Sequence, residues 1–509
     1  MASSTRLVVL GSLFAASLYA GCGSGDSGNG AGSSSGAGNG DDGGHTGGDA
    51  STHDGGSGSS SGSGSSSGSS GSGSSSGSSS GGSSGGSSGG SSGGSSGSSS
   101  GGSSGGSSGG SSGSSSGGSS GGSSGSSSGG GTDGGAFVPA THPPLPKLVT
   151  AGGPVLTNPA VLPIFFSNYD ITSQVETMIA GLPTATLANG DSWFSGAVAE
   201  YGVGALKVLP AVKLPDVAPT TDTNPAQFLQ SKLSSFPGID SSTILAIFYP
   251  STTPLSGSCA AGGNGYGGYH DSFSNGGSDQ PYAVMTECAK FGPLTSALDM
   301  VTVAASHEII EAATDPYPQS NTAYVGLDNS GAGFAMSALL QGNAENGDMC
   351  AINDGFGRGP TAYPFLLSRG WSNKAVGAGN MDPCQPDIRP AQPFVGAYPA
   401  MPDTVNIQGQ SGPGVIIPVG QSKTVDINLF TFEPTADYTV LARQGVSVNP
   451  PTLTFAWDKT TGHNGDTLHL TITSVSQGKS GYETFILQAY LPNATDAQKT
   501  AWAGIVTHK

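Results

Sequence analysis

Residues 306–316 read Ser-His-Glu-Ile-Ile-Glu-Ala-Ala-Thr-Asp-Pro. On a helix, residues four apart lie on one face, so His307 and Glu311 converge on one point. A neutral imidazole and a carboxylate are ordinary zinc ligands. Glu308, one step round the helix, is then placed to take a proton from a water held beside the metal. This is the logic of the His-Glu-x-x-His helix of metalloproteases, with Glu311 standing where the second His would be. Two helix ligands do not complete a zinc site, and the candidates for the third are His270, Asp315, Glu345 and Asp348. For Asp315 the plainer reading is the stop chemistry of an Asp-Pro pair after a helix. The reaction such a site implies is hydrolysis of an amide or ester, with Glu308 as the base and Tyr324 or His270 steadying the oxyanion. The plain alternative is an amphipathic helix whose polar face carries one His and two Glu. Outside the Gly/Ser-rich residues 23–135 there is no Gly-x-Ser-x-Gly elbow, there is no P-loop, and Ser306 and His307 are no hydrolytic pair, because helix neighbours point in different directions.

The elements that would position these residues follow from periodicity. Helical spacing runs from Thr295 to Ala313, with Leu298, Val301 and Ala305 on one stripe and Pro316 and Pro318 beyond its end. Before it, Val155–Asn168, Thr243–Tyr249 and Tyr282–Thr286 read as strands. Helices are expected at Ile171–Ala180, Trp193–Tyr201 and Pro225–Phe236. A Gly-rich loop, 262–268, leads to His270. Strands alternating with helices predict an α/β or α+β core. Glu345 and Asp348 fall in a loop-rich stretch just before Cys350. From about Pro393 the character changes. Thr424–Leu429, Tyr438–Ala442, Thr452–Trp457, Thr467–Thr473 and Glu483–Ala489 alternate polar and apolar residues, which predicts a β-sandwich of immunoglobulin or fibronectin type.

The chain has 509 residues, and most of its 88 glycines lie between Gly23 and Gly135 in an almost pure Gly/Ser stretch. Such a stretch has too little apolar surface to offset the entropy of ordering and is expected to be a disordered tether, with an end-to-end distance of about 60 Å. A net charge of −18, with no basic run, argues against nucleic acid and anionic membrane surfaces as partners. The apolar run Leu7–Leu18 is too short to span a bilayer, and it leads to Tyr19-Ala20-Gly21-Cys22. That end resembles the lipobox of bacterial lipoproteins, which implies lipidation of Cys22 and anchorage in the cell envelope. A plain secretory signal is the alternative. The other four cysteines form an even set in an exported chain, and local closure pairs Cys259 with Cys288 and Cys350 with Cys384. Each such bridge is worth roughly 3 kcal/mol on the chain-entropy model.

Across about residues 146–386 the order of motifs resembles the EXORDIUM, or phosphate-induced protein, family and its bacterial relatives. The motifs are Gly152-Gly-Pro-Val-Leu156 before a strand, the Gly-rich segment from Cys259 to His270, and Tyr282-Ala-Val running into Cys288. They continue with a helix ending in Thr314-Asp-Pro316, then Gly347-Asp-Met-Cys350, Trp371-Ser-Asn373 and Cys384. The resemblance implies secretion and disulfides. Plant members have no His-Glu pair on this helix, and the bacterial branch looks like a zincin-type protease fold. The expected layout is a signal segment over 1–22, a tether over 23–136, a zincin-like domain over 137–390 and a sandwich over 391–509. Two functions follow: a tethered cell-surface zinc hydrolase, or a non-catalytic surface protein binding extracellular protein or polysaccharide.

Overall fold

The computed structural model describes residues 136–508, apart from 188–189, 260–265, 289–293, 295, 329–331, 353–355, 360, 380–381, 387–392, 446–449, 493 and 495–498. Cys22, the expected signal segment, all but the last residue of the expected tether, and most of the Gly-rich loop before His270 lie outside the described residues.

After β1 (Leu148–Thr150) the chain enters β2 (Ala160–Phe165), α1 (Thr172–Gly181), α2 (Trp193–Val198) and the short strands β3 (Lys207–Val208) and β4 (Val212–Lys213). It continues through α3 (Pro225–Lys232), β5 (Thr243–Tyr249), the hairpin of β6 (Gly268–Asn275) and β7 (Ser278–Thr286), and α4 (Ala297–Thr314). One sheet runs in the order β3-β2-β5-β7-β6, with β4 also on β2. Its pairs are parallel except for β6, which runs antiparallel along β7 at the edge.

All seven residues of β5 are buried, as a parallel strand covered on both faces requires. Successive side chains point to opposite faces, so β5 feeds two separate cores. Ile244, Ala246 and Phe248 join Val301, Ala305 and Ile309 of α4. Leu245, Ile247 and Tyr249 join Leu229, Phe236 and Tyr282 on the far side. Every residue of α4 from Met300 to Thr314 is buried, so it is a core helix rather than an amphipathic surface one.

Beyond α4 come β8 (Tyr324–Leu327), which pairs with β1, then α5 (Gly333–Leu339) and α6 (Asn346–Ile352). The hairpin β9 (Phe356–Arg358)–β10 (Leu366–Ser368) follows, then β11 (Gly370–Trp371), α7 (Asn373–Gly377) and β12 (Cys384–Gln385). Disulfides join Cys259 to Cys288 and Cys350 to Cys384, with Cα–Cα separations of 5.7 and 5.6 Å. This is the local pairing.

The rest is β-rich. Its strands are β13 (Val395–Pro399), β14 (Asp403–Ile407), β15 (Gln410–Ile416), β16 (Ser422–Thr431) and β17 (Tyr438–Gln444). They continue with β18 (Leu453–Trp457), β19 (Thr461–Gly462), β20 (Thr467–Ser474), β21 (Tyr482–Tyr490) and β22 (Thr500–Thr507). A four-stranded sheet, β13-β16-β20-β18, and a six-stranded sheet, β14-β15-β22-β21-β17-β19, share one core through Val425, Ile427, Leu470, Phe485 and Val506. Helix α5 packs on β15, β21 and β22, and Phe334 and Leu339 there share a cluster with Val405, Ile486 and Ile505. Phe334 sits where Gly412 leaves room, since a Cβ at Gly412 would come within 2.3 Å of its ring.

Among the described residues no helix is long and apolar enough to cross a membrane.

Candidate metal centre

Three elements bring the site together. Helix α4 begins at an N-cap in which Ser296 accepts from the Asp299 N–H, and it carries His307, Glu308 and Glu311 into the interior. Edge strand β6 supplies His270. Tyr269 and Asp271, its neighbours on the strand, point to the opposite face beside Tyr282, so strand alternation leaves His270 facing α4. The third contribution is Glu345 and the first turn of α6. This segment, expected as loop, is helical because its first turn docks on α4: the Asp348 N–H donates to Glu311 Oε1 at 3.0 Å.

Glycines allow the close approach. A Cβ on Gly347 would lie 2.7 Å from His307 Nδ1 and 2.9 Å from Glu311 Oε1. A Cβ on Gly268 would lie 2.8 Å from Glu308 Cγ.

All six expected site residues are buried, none more than 6% exposed. His307 Nε2 lies 3.0 Å from Glu311 Oε1 and 3.6 Å from Asp348 Oδ1. His270 Nδ1 lies 3.4 Å from Glu308 Oε2 and 3.7 Å from Glu311 Oε2, and its Nε2 is 3.6 Å from Glu345 Oε1. These atoms form two groups able to hold a metal ion, His307–Glu311–Asp348 and His270–Glu311–Glu345. The spacings suit ligation. Donors at the corners of a zinc tetrahedron with bonds of about 2.05 Å stand about 3.3 Å apart, further than most hydrogen-bonded pairs. His270 Nε2 and Glu311 Oε2 are buried without a hydrogen-bond partner, a costly condition that a cation between them would relieve. The residues therefore fit a divalent metal.

The second nitrogen of each ring is also placed. His307 Nδ1 is 3.2 Å from Ser368 Oγ, while the Ser368 N–H donates to Ser306 Oγ at 2.8 Å. A hydrogen bond at the nitrogen away from the metal fixes tautomer and ring orientation.

Electrostatics without a cation match this crowding. Burial works to lower the His270 pKa, but Glu345, Glu308 and Glu311 outweigh it and push it up to about 10. His307 is likewise held well above its ordinary value, Glu311 and Asp348 overcoming the effect of burial. Burial pushes Glu308 up and Glu345 well up. Burial acts on Glu311 in the same direction, yet His307 and His270 hold it below the usual range.

Two residues considered beside the site have other partners. Asp315 is fully buried at the C-cap of α4, and its Oδ1 accepts from the Ala323 N–H at 2.8 Å, so it anchors the returning chain as well as ending the helix. Tyr324 packs edge-on against Tyr201, ring centroids 4.8 Å apart, and belongs to neither ligand group. Ser368 was not legible as a site residue: it lies 61 residues from His307, and a lone Ser at a strand end carries no signal.

No family model matches the chain, and no curated protein matches it. Partial likenesses exist among solved structures. Domains 1–6 of surface layer protein SbsC share 15% identity over 24% of this chain and 14% of that one, with a TM-score of 0.16. A conjugative transposon lipoprotein from Bacteroides eggerthii shares 11% identity over 22% of this chain and 95% of its own, with a TM-score of 0.14. A FixG-related protein from Vibrio parahaemolyticus shares 9% over 23% and 96%, with a TM-score of 0.16. Scores this low carry no argument about fold or function.

Proposed function

We propose that this chain is an exported surface protein, lipidated at Cys22, whose mixed α/β region is a zinc-dependent hydrolase of zincin type related to the EXORDIUM family. The observation that carries the reading is Glu308: a buried carboxylate on the ligand helix, beside His307 in sequence and 3.4 Å from His270 Nδ1, and outside both ligand groups. His307, Glu311 and Asp348 hold the zinc. When bound, zinc polarises a carbonyl and lowers the pKa of water, which is the chemistry of amide and ester hydrolysis. Glu308 takes the proton from the attacking water, since a carboxyl raised by burial is nearer the pKa of an effective general base. Ser368 holds the His307 ring so that Nε2 faces Glu311. The β-rich region adds a surface for extracellular protein or polysaccharide.

A second reading is favoured by the burial itself. Structural zinc sites are closed, and here every ligand is buried. The metal would then brace β6, α4 and α6 in a non-catalytic binding protein.

One pair of variants separates the readings. Glu308→Gln should keep the metal and abolish hydrolysis of a broad peptide and ester panel, a loss of at least about 100-fold from removing a general base. His307→Ala should lose the metal. Wild-type protein that holds zinc and hydrolyses nothing on the panel supports the structural reading, and wild-type protein that takes up no zinc overturns both.

A further inference from the structure

We infer that the centre is built for two divalent cations, bridged by Glu311, rather than for one. The inference rests on the metal-binding reading above and deepens it. The two oxygens of Glu311 face different partners: Oε1 faces His307 Nε2 at 3.0 Å, and Oε2 faces His270 Nδ1 at 3.7 Å. Glu311 belongs to both three-residue groups, with His307 and Asp348 in one and His270 and Glu345 in the other. A carboxylate spanning two such groups is the ordinary bridge of a two-metal site, where the ions stand about 3.5–4 Å apart.

Three observations support the second position. His270 Nε2 and Glu311 Oε2 are both buried without a hydrogen-bond partner, whereas Glu311 Oε1 accepts from the Asp348 N–H. The His270 ring meets carboxylates at both nitrogens: Nδ1 stands 3.4 Å from Glu308 Oε2 and 3.7 Å from Glu311 Oε2, and the unpartnered Nε2 stands 3.6 Å from Glu345 Oε1. The third is charge. Five buried carboxyls, Glu308, Glu311, Asp315, Glu345 and Asp348, crowd around two imidazoles, His270 and His307. Uncompensated buried charge is expensive. A second divalent cation would offset more of this crowded carboxyl charge than one alone.

The second group offers one imidazole and two carboxylates. That donor set suits Zn2+, Mn2+ or Fe2+ and not Ca2+, which takes oxygen ligands throughout.

The test uses the full chain, stripped by chelator and titrated with Zn2+ or Mn2+ alone. Wild type should take up two equivalents above the weak surface background, and Mn2+-loaded protein should give an exchange-coupled paramagnetic resonance spectrum. His270→Ala should retain one equivalent and lose the coupling. Glu345→Gln is the second variant on the same position, should His270→Ala fail to fold, and should weaken one equivalent by at least 10-fold. One equivalent in wild type, uncoupled and insensitive to His270→Ala, overturns the second position and leaves the single-zinc hydrolase standing. Zero equivalents in wild type overturns both.

Discussion

At the scale of single residues, the centre depends on side chains that do not themselves touch a metal. Ser368 Oγ is 3.2 Å from His307 Nδ1 and belongs to a chain of contacts running back to Ser306 on the same helix. Ser368→Ala should weaken zinc binding about 10–100-fold, the usual cost of removing such a partner, while the circular dichroism spectrum is unchanged. Competition against a chelator of known affinity measures it; unchanged affinity would mean that the His307 ring is held by packing alone. The i, i+4 pair of His307 and Glu311 was legible in the sequence because a helix makes spacing into geometry. His270 was legible only as a candidate among several. Its position depends on which face of an edge strand it occupies, and the β6–β7 register that pairs it with Ala283 cannot be read from a lone His after a Gly-rich loop.

Among the elements, α4 and α6 define the ligand geometry, and the Cys350–Cys384 disulfide ties α6 to β12. Asp348 precedes the bridged Cys350 by two residues, so the bridge limits how far the ligand turn can swing. Replacing Cys350 and Cys384 together by Ser should lower unfolding free energy by about 3 kcal/mol. It should also weaken zinc binding, whereas the same change at Cys259 and Cys288 should leave zinc affinity closer to wild type. Denaturant unfolding and a parallel zinc titration decide the matter; equal effects from the two pairs would show that the bridge does not restrain α6. Elements with clear periodicity were readable: β2, β5, α1 and α3 fall within the expected ranges or within a residue of them, while β7 begins four residues before its expected start. Others were not. All eight residues of β22 are buried and show no alternation, and β15 opens with Gln-Ser-Gly-Pro-Gly, the composition of a turn. The helix α6 was hidden for another reason: at seven residues, with Gly347 inside, it forms only because its first turn docks on Glu311.

For the molecule as a whole, the candidate metal position lies where β6, α4 and α6 meet, and α4 also supplies Val301, Ala305 and Ile309 to the core. A cation bound there links three stretches of chain, so removing it should destabilise the whole mixed region rather than one loop. Free zinc at 100 times its dissociation constant should raise stability by about 2.7 kcal/mol per site relative to chelated protein. Calorimetry with and without chelator tests this, and coincident transitions would place the cation outside the folded core.

The separation of the ligands along the chain has a consequence for the order of assembly. His270, the His307–Glu311 pair and the Glu345–Asp348 turn belong to segments that meet only after the edge strand has joined its sheet and the helix has packed beneath it. No partial chain holds the complete set, and once α6 closes, every donor is sealed from solvent. A cation bound by the full set would therefore be captured only once all three segments have met, and its escape would require at least one of them to move away. An ion bound in this way would be retained through dilution into metal-poor surroundings, and its exchange rate would report the opening of the segments that enclose it.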